Sequence, residues 1–205
     1  MSEQMIECPC KNLECERHGK CDECRASHHS RGYLPACERP IDANGEFVMP
    51  VVGNFMVTQI AIIVRDIETT KKKFAAFFGV ETPPHSVLGE SDYSVTQTKY
   101  MGQPAPKAGC KLAFFKAGPN VQLELIEPNG EQSTWQDFLD KNGEGIHHIA
   151  FGVQRMDERI AACENLGMIC TQRGVYGDGS GEYAYLDATA DLKCFIELLE
   201  SYNKE

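Results

Sequence analysis

The sequence predicts an α+β fold: two tandem βαβββ modules forming a cupped mixed-sheet site, preceded by a small Cys/His-rich metal-binding module. Three observations predict it. The closing strands of the two halves carry nearly the same word, Leu123-Glu124-Leu125-Ile126-Glu127 and Ile196-Glu197-Leu198-Leu199-Glu200. The opening strands echo each other as well, Gln59-Ile60-Ala61-Ile62-Ile63-Val64 against His148-Ile149-Ala150-Phe151-Gly152-Val153. Self-similarity of this kind marks one supersecondary unit used twice. Finally, six of the ten cysteines fall between positions 8 and 37, which sets that stretch apart from the rest of the chain.

The first element is therefore the Cys/His module, residues 1–40. Its pattern runs Cys8-x-Cys10-x4-Cys15-x2-His18-x2-Cys21-x2-Cys24, then His28, His29 and Cys37. Two-residue spacings let both side chains of a tight knuckle face one ion, and thiolates suit zinc. The candidate ligands are Cys8, Cys10, Cys15, His18, Cys21, Cys24, His28 and Cys37. The segment has few apolar residues to bury, so without metal it is expected to be unfolded. One zinc with spare groups and a two-metal cluster are both open, and an iron–sulfur centre on four thiolates is the weaker alternative. Residues 41–54, with Gly45, Pro50 and Gly53, read as a linker.

From residue 55 to 205 the pattern becomes regular, with modules at about 55–128 and 145–201. Met56 to Val64 reads as a strand. Arg65-Asp66 opens a helix, Ile67 to Phe78, which Gly79 stops in the left-handed C-terminal position. A Pro- and Gly-bearing loop spans Glu81 to Glu90, followed by strands near Ser94 to Met101, Lys111 to Lys116 and Val121 to Glu127. Pro128-Asn129-Gly130 breaks the last of these, and Ser133 or Thr134 caps a short helix, Trp135 to Lys141, ended by Asn142-Gly143. The second module repeats the order: strand Gly145 to Val153, helix Met156 to Leu166 closed by Gly167, then strands Met168 to Val175, Tyr183 to Asp187 and Phe195 to Glu200.

Strand periodicity selects the candidate site. Side chains alternate faces, so Gln59 shares a face with Val57 and Ala61, while Ile60, Ile62 and Val64 point under the helix. His148 aligns with Gln59 and Ala150 with Ala61, and the alanines leave room beside the polar groups. Glu124 and Glu197 sit among Leu and Ile, where an unpaired carboxylate is costly to bury. A metal shared by Gln59, Glu124, His148 and Glu197 removes that cost. One such residue alone reads as a core histidine or an edge-strand charge; four at symmetric positions favour a metal site. His147 points to the other face and reads as structural, and His85 reads as a surface residue.

Composition bounds the function class. The net charge of −10 argues against nucleic acid or an anionic membrane as partner. No apolar run approaches the ~20 residues of a membrane span, and the first residues lack an export signal. A cytoplasmic, soluble protein with a small-molecule substrate is expected, as a homodimer.

The paired modules, with candidate ligands on the first and last strand of each, resemble the vicinal oxygen chelate superfamily over about residues 55–201. That family includes glyoxalase I, methylmalonyl-CoA epimerase and extradiol dioxygenases. The stretch Glu124-Leu125-Ile126-Glu127-Pro128, then Trp135 to Asn142, then Gly145-Ile146-His147-His148-Ile149-Ala150 is similar to the epimerase. Gln59 departs from it, because the epimerase pattern has histidine there, and the set Gln/Glu/His/Glu is similar to zinc-type glyoxalase I. The resemblance implies a divalent ion, Zn, Ni, Co or Mn, that polarises a carbonyl and stabilises an enolate. It implies Glu197 as the proton-transferring base with Glu124 opposite. It implies an epimerase or isomerase, possibly acting on an acyl-CoA; the alternatives are a glyoxalase I-type lyase and a non-catalytic binding or sensing protein. No acidic residue lies within Ser94 to Met101 to act as the epimerase's second base.

Overall fold

The computed structural model describes residues 8–10, 12–41, 43–45, 50–89 and 92–202. The chain divides into two compact units, residues 1–56 and 57–205.

In the first unit, α1 spans Cys21–His29 and a 3-10 turn spans Ala36–Glu38. Acidic Asp22 and Glu23 in the first turn complement the helix dipole. Helix α1 buries no residue. Among the unit's described residues, Gly32, Pro35 and Asn54 alone are buried. Among the described residues the unit therefore has no apolar core.

The second unit is built on one ten-stranded sheet. In chain order its elements are β1 (Val57–Ile63), α2 (Ile67–Phe78), β2 (Ser86–Leu88), α3 (Tyr93–Thr96), β3 (Lys99–Tyr100), β4 (Gln103–Pro104), β5 (Cys110–Lys116) and β6 (Gln122–Pro128). There follow α4 (Thr134–Asn142), β7 (Gly145–Gly152), α5 (Met156–Glu164), β8 (Ile169–Val175), β9 (Gly181–Asp187) and β10 (Phe195–Ser201). The sheet order is β2-β5-β6-β1-β7-β10-β9-β8-β3-β4. The opening strands of the modules, β1 and β7, pair antiparallel at the centre, and each is flanked by its own module's closing strand in parallel, β6 beside β1 and β10 beside β7. The duplication read from the sequence is thus a pseudo-twofold about the β1–β7 ladder.

Two apolar clusters hold the sheet. One, beneath α2, packs Val64, Ile67, Ala75, Phe115, Leu123 and Leu125. The other, on the opposite side, joins Ala61, Ile63, Cys110, Ile126, Trp135, Leu139, Tyr183 and Tyr185. Helix α2 begins where the Asp66 side chain accepts from the Thr69 N–H at 2.9 Å. It ends at Gly79, whose φ of 68° lies in the left-handed region. A Cβ there meets no atom within 4 Å, so Gly79→Ala is expected to cost only the conformational penalty, about 1 kcal/mol, read as a lower urea midpoint at unchanged slope. No loss of stability would refute that account of the helix end.

The terminal glutamates of the repeated word have a task the sequence did not reveal. Glu127 Oε2 accepts from the Ile67 N–H at 2.8 Å, and Glu200 accepts from the N–H groups of Arg155 and Met156 at 2.8 and 2.7 Å. Each closing strand therefore caps the helix of its own module.

The second strand of module one differs from expectation. Residues 94–101 do not form one strand, and the stretch 81–90, expected as loop, contains β2, which pairs with β5. Asp92 accepts from the Ser94 N–H at 2.8 Å and starts the one-turn α3, which Gln97 ends with φ 42°. The local side-chain cap wins over strand propensity. What remains, Lys99–Tyr100, pairs with β8 of the other module. Helix α5 stops at Glu164, two residues short of Leu166, although Gly167 still takes the left-handed turn at φ 87°. Among the described residues no helix is long and apolar enough to cross a membrane.

Candidate metal centre

Sheet register sets the site. One row across the four central strands runs Glu124, Ala61, His148, Phe195; the next runs Gln122, Gln59, Ala150, Glu197. Ala61 and Ala150, both fully buried, separate the polar side chains without filling the space above the sheet. Glu197 Oε2 comes to 3.0 Å from His148 Nε2, and Glu124 Oε2 to 3.4 Å. All three residues are buried. Among the described residues, they form the one group of three His, Cys, Asp or Glu side chains whose ligand atoms lie within 4.8 Å of one another.

Electrostatics at this cluster are unusual. Burial raises the Glu124 carboxyl above the usual range, and the charge of Glu197 adds to that, against the pull of His148. Burial alone would lower His148, yet the charge of Glu197 and the contacts with both carboxylates outweigh it and hold the imidazole at about 9. Even so, neither close approach has hydrogen-bond geometry, and Glu124 Oε2, Glu197 Oε2 and His148 Nε2 are left as buried atoms without a hydrogen-bond partner. Orphaned acceptors of this kind are costly. Two carboxylates and an imidazole converging on one point fit a divalent cation, so the donor chemistry matches the group expected from the sequence.

His147, expected to be structural, is fully buried behind His148 and stacks on Phe195 with ring centroids 4.6 Å apart. Its Nδ1 lies 3.0 Å from His148 Nδ1. Burial, and then the charge of His148, keep His147 well below the ordinary imidazole range. A neutral His147 can accept at Nδ1 from His148 Nδ1–H, which leaves the His148 Nε2 lone pair directed between the carboxylates. His85 lies just before β2 and contacts Glu68 Oε1 at 2.8 Å.

Glu124 and Glu197 floor a cavity of about 290 Å³. Its walls are Leu88, Leu112, Phe114, Trp135, Tyr176, Gly177, Tyr183, Tyr185 and Leu199, and Gln59 lines it as well. The Gln59 amide donates to Gln122 Oε1 at 3.2 Å. The lining carboxylates are Glu124 and Glu197, and residues 94–101 do not reach the cavity. Burial pushes the Tyr183 phenol up to about 12, and burial with the nearby glutamates holds Tyr185 well above its ordinary range, so both stay neutral. Gly181 has to be glycine: a Cβ there would meet the Glu200 carbonyl at 2.2 Å and the Tyr176 ring at 2.5 Å. This contact seats Tyr176 at the cavity wall.

The aromatic wall was not read from the sequence, although Tyr183 and Tyr185 at alternate positions of one strand carried the signal. Nor was Cys110, a buried thiol raised by burial and then by the charges of Glu124 and Glu197. In the first unit, Cys8, Cys10, Cys15, Cys21, Cys24 and Cys37 are all free thiols. His18 Nε2 lies 3.2 Å from the Cys10 carbonyl oxygen, His28 Nδ1 is buried without a hydrogen-bond partner, and His29 contacts Glu38. No three of these ligand atoms come within 4.8 Å of one another.

Residues 58–185 match the family model described as the Glyoxalase/Bleomycin resistance protein/Dioxygenase superfamily. The ethylmalonyl-CoA/methylmalonyl-CoA epimerase of Cereibacter sphaeroides is 30% identical over 127 residues, covering 62% of this chain and 76% of that protein. The uncharacterized protein YqjC of Bacillus subtilis is 49% identical over 51 residues, 25% of this chain and 36% of its own length. Among solved structures, methylmalonyl-CoA epimerase from Mycobacterium tuberculosis aligns over 79% of this chain and 97% of its own, with a TM-score of 0.51 at 20% identity. That likeness concerns the fold.

Proposed function

The chain belongs to the glyoxalase/bleomycin resistance/dioxygenase superfamily, and on that footing we propose that it is a metal-dependent epimerase or isomerase that moves a proton at the carbon next to a carbonyl, with an acyl-CoA thioester as substrate. The observation that carries the reading is the buried Glu124, His148 and Glu197 cluster, whose two carboxylates line an aromatic-walled cavity. The epimerase relative from Cereibacter supports the acyl-CoA class.

A divalent ion held by Glu124, His148 and Glu197, with Gln59 as an amide ligand, supplies Lewis acidity to the substrate carbonyl. The protein residues do the rest. His148, oriented by His147, is the neutral anchor. Glu197 takes the proton and Glu124, on the other side of His148, returns it or takes it from the opposite face. Leu112, Phe114, Tyr183 and Tyr185 exclude water around the acidic carbon, which strengthens each charge interaction inside.

A glyoxalase I-type lyase is the second reading, favoured by Gln59 and by a cavity whose lining carboxylates are the two proposed ligands. Deuterium wash-in from heavy water into methylmalonyl-CoA, set beside turnover of methylglyoxal with glutathione, separates the two. Wash-in without glyoxalase turnover supports the epimerase reading, and the reverse supports the lyase. If metal is bound and neither substrate reacts, a non-catalytic binding role replaces both.

The anchoring role of His147 has its own test. His147→Phe keeps a flat apolar ring in the stack but removes the acceptor for His148. Metal affinity, measured by competition with a chelator, is expected to fall about 10- to 100-fold with the near-UV circular dichroism preserved. Unchanged affinity would show that the imidazole pair is only packing.

A further inference from the structure

The two halves of the cavity are copies of one strand pair, and beside the glutamates they differ by a single hydroxyl. Glu197 on β10 stands directly opposite Tyr185 on β9. Glu124 on β6 stands directly opposite Phe114 on β5. Residues opposed in an antiparallel ladder share a face of the sheet, with Cβ atoms about 4.5–5.5 Å apart, and all four of these side chains line the cavity. Duplication therefore gives each carboxylate an aromatic neighbour, but a phenol on one side and a bare phenyl ring on the other.

Packing fixes the Tyr185 ring from three directions. Trp135 meets it edge-on with ring centroids 5.7 Å apart, and the rings of His147 and His148 lie at 5.6 and 5.0 Å. Because a tyrosine side chain is rigid beyond two rotatable bonds, a ring held in this way also has its hydroxyl held. Tyr185 is buried, whereas Phe114 is exposed. The other tyrosine on this face of β9, Tyr183, has its hydroxyl engaged elsewhere, with Thr98 and Gln172.

We infer that Tyr185 is the positioning residue of Glu197: its hydroxyl donates to that carboxylate and keeps it aimed into the cavity, while Glu124, opposite Phe114, receives no such tether. Of the two glutamates, Glu197 shares a side-chain hydrogen bond with Tyr185, and Glu124 acts on the phenol through its charge. A hydrogen bond to an ionised acceptor is stronger than one between neutral groups and sets the direction of the acceptor. The repeat thus supplies two equivalent carboxylates, and one oxygen atom makes them unequal. Proton transfer by Glu197 depends on Tyr185, and transfer by Glu124 depends on it less. This division of roles rests on the proton-transfer reading proposed for the site.

Initial rates of deuterium wash-in, measured on the full chain with each enantiomer of methylmalonyl-CoA separately, test it in the wild type, Glu197→Gln and Tyr185→Phe. The enantiomer that stops exchanging in Glu197→Gln is the one that Glu197 deprotonates. Tyr185→Phe is expected to slow that enantiomer about 10- to 100-fold more than the other, in kcat rather than KM. A ring that only packs does not tell the enantiomers apart, so equal slowing of both, or no slowing of either, would overturn the inference. A second measurement needs neither substrate nor metal. In chelated protein carrying isotope-labelled tyrosine, the hydroxyl proton that disappears in Tyr185→Phe is expected to exchange slowly with water, to lose that protection in Glu197→Ala and to keep it in Glu124→Ala. Protection indifferent to Glu197→Ala would overturn the tether whether or not any substrate reacts. The expected protection pattern in a protein that exchanges neither enantiomer would support the tether and remove the proton-transfer reading instead.

Discussion

Replacing Glu197 by glutamine is expected to slow interconversion of the substrate's two enantiomers by about 10²- to 10⁴-fold while metal remains bound. The variant keeps the shape and an amide oxygen in the position of Oε2, which stands 3.0 Å from His148 Nε2, and an amide can still ligate. What it removes is the capacity to take a proton at the carbon. The comparison with Glu124→Gln is the informative one. If the two carboxylates serve opposite faces of the planar carbon, Glu197→Gln and Glu124→Gln each leave one face working: wash-in of solvent deuterium from a single enantiomer survives in one variant and interconversion of the two enantiomers is lost in both. Metal content should be measured on the same samples. Interconversion of the two enantiomers in Glu197→Gln at the wild-type rate, with metal in place, would remove Glu197 from the mechanism and leave it as a ligand only.

Much of this site was legible before any coordinates, for a physical reason. Duplication puts Gln59 and His148 on equivalent strands and Glu124 and Glu197 on equivalent closing strands, and period-two alternation then decides which side chains share a face. Helix boundaries governed by a single residue were legible too: Asp66 and Gly79 bracket α2 as their side-chain chemistry requires. The failures lie where a long-range contact overrides a local pattern. Ser94 to Met101 has strand-like composition, but Asp92 starts a turn there and β8 of the other module captures Lys99 and Tyr100. Glu127 and Glu200 carried no role in the sequence reading, yet their offset of three from Glu124 and Glu197 places them on the opposite face, at the helix starts. The partnership of His147 with His148 was hidden because adjacent strand residues point apart, and only the geometry shows the rings meeting at 3.0 Å.

The double change Glu124→Ala with His148→Ala is expected to take metal at the second unit from about one ion per chain to none, since two of the three converging donors go and Glu197 with Gln59 cannot hold a divalent ion against water. The single change His148→Ala isolates the energetic role of the cation. It leaves Glu124 and Glu197, both buried, facing each other without the imidazolium that sits between them in the metal-free protein. Removing one partner of a buried charge group typically costs about 3–5 kcal/mol, so chelated His148→Ala should unfold at markedly lower denaturant than chelated wild type. A divalent ion still able to bridge the two carboxylates should recover part of that loss, because anything that binds only the folded state stabilises it by mass action. The double variant, with just one carboxylate left, should show neither the large loss nor the recovery. Denaturation curves of the three proteins with and without metal read this directly. Metal stoichiometry in the second unit unaffected by the double change would refute the site, and a His148→Ala variant indifferent to metal would mean that the two carboxylates carry no shared charge for a cation to neutralise.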